Sequence, residues 1–407
     1  MANYPLVPEV GVIALVADDW GMEWMSRHQL LTRLADYFQV VWVNPSPDWG
    51  ESLRSLLNTG YQNSSLPPGF QVYKAEFWLP KFYRPRSLAS FTLRKRLNRA
   101  RDLLRQRGCK KIILYIWRPE FVESLDAIKP DLACYHIVDE YSFSDVDLPN
   151  SQQERELLQR VDQVFVHTRA LLEKKGSLNS CVDLIPNGVA YQSFAAPLPE
   201  PESLRGIPPP RIGYAGYLKK TLDWNLLSEL SVKHREYSFV FVGAQKKEEV
   251  TIRAMEELSR RPNMHFLGRV TTAQMPPFPQ HFDVCMMPYL LNDYTSYVYP
   301  LKLHEYLASG RPVVASPTRL LKEFQGTIQV CKGAEEWSLA ISSALQPEAN
   351  TPEAREIRQA VARKHDWDLL AKSIAQIFCR RLHLNHLDLL KERAPVPESN
   401  PILSSCP

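Results

Sequence analysis

Residues 182–216 read VDLIPNGVAYQSFAAPLPEPESLRGIPPPRIGYAG, and this stretch decides the fold. It opens on a short β-branched run, 182–186, and closes on another, 211–215. Between them stand Pro197, Pro199, Pro201, Pro208, Pro209 and Pro210. Proline at that density cannot continue a helix or a central strand, so 196–210 is predicted to be a linker between two domains. A chain of 407 residues is also too long for one ordinary core.

Working outward, the same pattern occurs on both sides of the break. Upstream, continuous apolar runs at 10–17 (VGVIALVA), 39–43 (QVVWV), 111–117 (KIILYIW), 132–138 (LACYHIV) and 162–168 (DQVFVHT) are separated by stretches with helical spacing, such as 25–37. Downstream, runs at 211–215, 238–243, 264–267, 282–288, 312–316 and 327–331 alternate with helical stretches at 222–234 and 247–260. Strands that are apolar on both faces and separated by helices mean parallel sheets covered on both sides. The prediction is an α/β protein of two Rossmann-like, doubly wound domains facing each other across a cleft, 1–195 and 211–366. A helical segment within 367–393 is expected to pack back on the first domain. The proline- and serine-rich tail 394–407 is expected to be disordered.

Composition removes several classes. Hydrophobic content of 44% and charged content of 23% are those of a globular protein. The seven cysteines include no C-x-x-C pair, which leaves zinc and redox-motif readings without support and suggests buried, reduced thiols. The first apolar run leads into Asp18 and Asp19 with no cleavage-like site. No run approaches the ~18 apolar residues of a spanning helix, so any membrane contact is expected to be peripheral. The net charge is +4, yet eleven lysines and arginines crowd 84–111, opposed only by Asp102. Such asymmetry asks for an anionic partner.

The segment 292–312, NDYTSYVYPLKLHEYLASGRP, carries the sharpest chemistry. Pro300 suits a helix start and Gly310 the position past its end. Leu301, Leu303, Tyr306 and Leu307 can face the core, leaving Lys302 and Glu305 three apart on one face. A lysine at a helix N-terminus suits a diphosphate, and a carboxylate accepts hydrogen bonds from two ribose hydroxyls. On spacing alone the pair also fits an exposed ion pair worth under ~1 kcal/mol.

With these residues set out, the chain resembles the GT-B glycosyltransferases, glycosyltransferase family four in particular. In that family a P-L-K-x-x-E-Y-x-A-x-G-x-P-V-V pattern closes the nucleotide pocket, and 300–314 match it in register. The resemblance continues at 184–189 (LIPNGV), 162–171, with Thr168 where serine is usual, and 266–270 (FLGRV). Segments 20–31 and 134–143 are similar to a bacterial subgroup that builds cell-surface polysaccharides. The resemblance implies a hexosyl-type transferase using a nucleotide-sugar donor and no metal or other cofactor. It implies donor contacts at Lys302, Glu305, Gly216, Gly243, Gly268, Tyr297 and Val298. Two positions depart from the pattern. Tyr297 replaces the first glutamate of the family's E-x7-E pair, and Tyr217 stands where a phosphate-binding arginine is usual. Lys219 or Lys220 is the expected substitute, although both also fit a solvated turn.

On the acceptor side, a carboxylate or histidine serves as base for the attacking hydroxyl in an inverting transfer, and the two departures leave inversion or retention open. Asp139 and Glu140 follow the run 132–138, and ligands of open α/β sheets bind at the carboxyl ends of strands. Asp139 is the first choice of base, with Glu140 and Arg27 beside it. Asp18 and Asp19 follow the first run in a comparable position. His136 reads as a core histidine. Asp145 and Asp147 could hold a divalent cation, but they lie in a polar loop, and no metal is expected. The stretch 90–107 reads as an amphipathic helix with Leu93, Leu97, Ala100 and Leu104 inward. With the aromatic loop 77–83 it is predicted to meet an anionic membrane surface carrying a lipid-linked or polysaccharide acceptor. The protein would then be cytoplasmic, peripheral at the inner face of the cell membrane. No nucleic-acid partner is expected. Two other readings share the fold: a nucleotide-sugar epimerase, which needs no acceptor, and a degenerate transferase that only binds a partner.

Overall fold

The computed structural model describes residues 5–22, 24–45, 66–76, 78–79, 86–141 and 151–385. The chain divides into two compact units, Met1–Pro186 together with Asp368–Pro407, and Asn187–Trp367.

The first unit is built on a seven-stranded sheet, all parallel, in the order β3-β2-β1-β4-β5-β6-β7. Its strands are β1 (Val10–Leu15), β2 (Gln39–Val43), β3 (Phe70–Tyr73), β4 (Lys111–Ile116), β5 (Leu132–Ile137), β6 (Gln163–Val166) and β7 (Val182–Leu184). Every residue of β1, β2, β5 and β6 is buried, as strands covered on both faces must be. The helix Arg86–Gln106 buries Leu97, Ala100 and Leu104 completely. It lies close to the sheet because β1 has a glycine beneath it. A Cβ on Gly11 would stand 2.8 Å from Leu104 Cδ1. The final helix, Trp367–Arg381, returns to this sheet. The buried Phe378 ring lies 5.4 Å from Tyr115 and 6.0 Å from both Phe38 and Phe165. Lys111 Nζ donates to the Leu382 carbonyl at 2.8 Å. Phe378→Ala is therefore expected to cost about 3–5 kcal/mol in urea unfolding of the first unit.

The second unit holds a six-stranded parallel sheet, β10-β9-β8-β11-β12-β13. Its strands are β8 (Arg211–Ala215), β9 (Ser238–Val242), β10 (Met264–Phe266), β11 (Val284–Met287), β12 (Val313–Ala315) and β13 (Gln329–Val330). The proline-rich stretch, read as a linker from sequence, lies inside this unit. Leu204 and Ile207 are buried in its core with Tyr191 and Phe194, and Arg211 holds the stretch through the Leu204 and Ile207 carbonyls. The prolines stop regular structure, but the apolar residues between them still pack. Helices Gly333–Ala344 and Pro352–Arg363 were not anticipated. In the second, Arg358 and Ala362 are the buried residues, and Arg358 anchors it by donating to the Gly310 and Ala349 carbonyls at 2.9 and 2.7 Å. A buried arginine as anchor is not what a search for apolar runs singles out.

Cys109, Cys134, Cys285, Cys331 and Cys379 are free and buried. No helix among the described residues is long and apolar enough to cross a membrane. The tail 394–407 lies outside the described residues.

Candidate active site

Three glycines bring the carboxyl ends of β8, β9 and β10 together. Gly216 and Gly243 both have φ of +140°, a region that side-chain-bearing residues avoid. The Gly216 N–H donates to the Val242 carbonyl at 2.7 Å, and the Gly243 N–H to the Gly268 carbonyl at 2.8 Å. A Cβ on Gly243 would fall 2.1 Å from the Gly216 carbonyl oxygen. A Cβ on Gly216 would fall 2.9 Å from Lys302 Cε and 3.1 Å from its Nζ. The bare backbone therefore makes the room that the Lys302 ammonium occupies. Gly243→Ala would force the two strand ends apart at a strained φ, and about 2–4 kcal/mol of stability should be lost in thermal unfolding.

The helix Lys302–Ala308 positions the lysine. Tyr306 pins it to the end of β8, its hydroxyl accepting from the Ala215 N–H at 2.7 Å. Gly310, with φ of +74°, follows its end. Asn187 donates to the Tyr299 carbonyl at 2.9 Å, fixing the chain that leads into the helix. Lys302 Nζ donates to the Tyr289 hydroxyl at 3.0 Å and stands 4.9 Å over the Tyr214 ring. Burial alone would lower its pKa. Tyr214, Tyr289 and Glu305 outweigh that and hold it above the usual lysine value, so the site keeps a positive charge. Tyr289→Phe removes one hydrogen bond but keeps the ring. It should weaken nucleotide affinity only a few-fold, about 1 kcal/mol, in a calorimetric titration.

Glu305 is half-buried one turn along the helix, and its carboxylate accepts no hydrogen bond among the described residues. Burial pushes its carboxyl up to about 7, against the opposing pull of Lys302. A ribose hydroxyl donating to it favours the ionised form, so affinity should rise with pH through 7 and then level off. Between pH 6 and 8 the rise should be about tenfold. Nucleotide-sugars make the cleaner probe, because their esterified diphosphate does not titrate there. Glu305→Gln should give a flat profile.

The remaining donor-side residues are less uniform. Gly268, φ +75°, follows β10, where Phe266 stacks on Phe241 at 4.9 Å. Tyr297 and Val298 are half-buried in the loop before the helix. Lys219 is half-buried and Lys220 exposed, and the Lys220 N–H donates to the Glu248 carboxylate at 2.6 Å. A carboxylate already occupies that turn, which makes it a poorer anion site than its two lysines suggest. Sequence reasoning missed Tyr214, Tyr289 and Lys246. The tyrosines looked like ordinary apolar strand residues, and only their position at the ends of β8 and β11 marks them.

In the first unit, Asp139 is half-buried just past β5, its Oδ1 accepting from the Glu140 N–H at 2.8 Å. Glu140 points inward. It is 2% exposed and faces Lys174 and Lys175, each at 3.3 Å. Lys175 also meets Glu154 at 2.7 Å. The Glu140 carboxylate is thus enclosed by the two lysines in the turn that carries Asp139. Arg27 is ion-paired with Asp18, and its Nε is buried without a hydrogen-bond partner. His136 is a core residue, 2.6 Å from the Tyr115 hydroxyl and stacked on Trp117. Burial first, then His167, hold its imidazole well below the usual value. Among the described residues no group of His, Cys, Asp or Glu is placed to hold a metal ion. Asp145 and Asp147 lie outside the described residues.

The basic helix is more tied down than its charge count suggests. Arg96 donates to the Leu79 carbonyl, Arg105 to the Cys109 and Lys110 carbonyls, and Arg107 to Gln39. Arg99 pairs with Glu76. The exposed face at its start carries Leu88 and Phe91, the latter 53% exposed, beside Arg94 and Lys95. In the aromatic loop, Trp78 is 58% exposed, while Phe77, Phe82 and Tyr83 lie outside the described residues.

Residues 209–346 match the family model described as Glycosyl transferases group 1. The chain is 27% identical over 233 residues to TuaH of Bacillus subtilis (strain 168), named as a teichuronic acid biosynthesis glycosyltransferase. The match covers 54% of this chain and 57% of that protein, so it spans little more than half of the relative's length. Among solved structures, a glycosyltransferase from Rickettsia africae superimposes with a TM-score of 0.66 at 10% identity, covering 92% of this chain and 99% of the other. An Escherichia coli trehalose-6-phosphate protein bound to UDP-2-fluoro glucose gives 0.63 at 12%, covering 95% and 100%. An α,α-trehalose-phosphate synthase (UDP-forming) from Burkholderia vietnamiensis gives 0.63 at 14%, covering 93% and 100%. Likeness at such identities speaks for the fold, and the fold is GT-B: two parallel α/β sheets in one chain.

Proposed function

From the match of residues 209–346 to the glycosyl transferases group 1 model, we propose that this chain is a glycosyltransferase of the family-four kind. It would move a hexosyl group from a nucleotide-sugar to an acceptor in cell-surface polysaccharide or glycolipid assembly. The observation that carries the proposal is the Lys302 ammonium, held in the space that Gly216 leaves at the end of β8, with Glu305 one turn further along the same helix. A fixed positive charge there stabilises the diphosphate as the glycosidic bond breaks and negative charge gathers on the leaving oxygen. No metal is invoked, because lysine supplies that charge. Glu305 holds the ribose, and Asp139 takes the acceptor proton in the first unit.

The teichuronic acid role named for TuaH motivates the polysaccharide acceptor. The face formed by Leu88, Phe91, Arg94 and Lys95 suits a peripheral contact with an anionic bilayer, where each basic group contributes on the order of 1 kcal/mol. The test is release of nucleoside diphosphate from UDP-, GDP- and dTDP-sugars, with and without a polyprenyl-diphosphate-linked acceptor in anionic vesicles. Acceptor-dependent release from one donor supports the reading. Donor interconversion without release would point instead to an epimerase.

A further inference from the structure

A sugar-nucleotide diphosphate carries two negative charges, and Lys302 answers one of them. The chain of contacts leading from Lys302 ends on a second cation that no motif assigns. Lys302 Nζ stands over the Tyr214 ring at 4.9 Å. The Tyr214 hydroxyl donates to the Tyr217 carbonyl at 2.9 Å, fixing the residue that directly follows Gly216. The Tyr217 ring in turn carries the Lys246 ammonium 4.3 Å from its centroid. An aromatic face attracts a cation at that distance and limits where a flexible lysine can point.

The backbone beneath Lys246 is equally constrained. The Leu218 N–H donates to the Ala244 carbonyl at 2.9 Å, and the Lys246 N–H donates to the Leu218 carbonyl at 2.9 Å. The loops leaving β8 and β9 are thus zipped together directly beyond Gly216 and Gly243. Lys246 rises from a pinned strand end, three residues past Gly243. Its side chain is exposed. Lys220, by contrast, has its backbone committed to Glu248.

We propose that Lys246, held on the face of Tyr217, is the second diphosphate ligand of this chain, and that Tyr217 is its positioning residue. The proposal rests on the donor-binding reading above. Two tyrosine-held lysines would then flank the glycine pair, Lys302 fixed from the helix and Lys246 from the loop after β9.

The test uses the full chain and calorimetric titration with UDP, GDP and dTDP, with the nucleoside of whichever binds as the control. Lys246→Ala should lower diphosphate affinity about tenfold and leave nucleoside affinity unchanged. Its affinity should also depend less steeply on salt. Tyr217→Phe, which keeps the ring, should bind like the parent, whereas Tyr217→Leu should lose several-fold. Diphosphate binding by the parent that Lys302→Ala weakens and Lys246→Ala does not would overturn this inference alone. The same holds if Tyr217→Phe and Tyr217→Leu behave alike. Failure of the unaltered protein to bind any diphosphate would overturn the donor-binding reading and this inference with it.

Discussion

Replacing Lys302 by alanine should weaken binding of the donor nucleotide by about 10- to 100-fold, in line with the roughly 1.5–3 kcal/mol of a hydrogen bond to a charged group. The effect is expected to be large because the ammonium is pre-placed. Tyr289 holds it by a hydrogen bond, the Tyr214 ring lies beneath it, and Gly216 leaves the space it fills. Little side-chain entropy remains to be lost on binding. Removing the ammonium also leaves the Tyr289 hydroxyl without its donor, so the fold must be checked alongside affinity. An unchanged melting temperature with lost affinity is the expected pair of results. The arginine variant should recover little, because the Tyr289 hydroxyl and the Tyr214 ring place a compact ammonium, and a planar guanidinium cannot reproduce that placement.

Asp139→Asn should slow sugar transfer by about 100- to 10,000-fold, the range for removing a general base, while donor affinity stays within about twofold. The split between kcat and donor binding distinguishes a proton acceptor from a structural acid. Asparagine keeps the short side chain and its oxygen, so the contact with the Glu140 N–H survives. Glu140→Gln is the informative contrast. Glu140 is buried against the exposed Lys174 and the buried Lys175, and neutralising it takes one of two carboxylate partners from the Lys175 ammonium. The expected result is lowered stability, with any loss of rate following from that.

The fold was legible because its signals are redundant. Each central strand is a run of apolar residues, and runs such as 39–43 and 211–215 coincide with β2 and β8. What escaped notice was short, or held by a polar anchor. β3 is four residues long with two of them fully buried, and the helix Pro352–Arg363 is anchored through a buried arginine. The prolines of 196–210 were read for what they forbid, while Leu204 and Ile207 between them pack in the second core. At the candidate site, Lys302 and Glu305 were legible because a helix fixes their spacing. Tyr214, Tyr289 and Lys246 were not, because their relation to Lys302 exists only once β8, β9 and β11 lie side by side. For Glu140 the limit is the complementary one. Sequence shows that a carboxylate follows β5, but not which way it points.

The most direct test of the central claim is a thermal-shift titration of the purified chain and its Lys302→Ala variant with UDP-, GDP- and dTDP-sugars. A ligand that binds only the folded state raises the melting temperature by mass action, by about 2.7 kcal/mol of stability at a hundredfold excess over Kd. The account predicts a concentration-dependent rise with one nucleotide class that is lost in the variant. No rise with any nucleotide-sugar at millimolar concentration, or a rise that Lys302→Ala leaves intact, would contradict it.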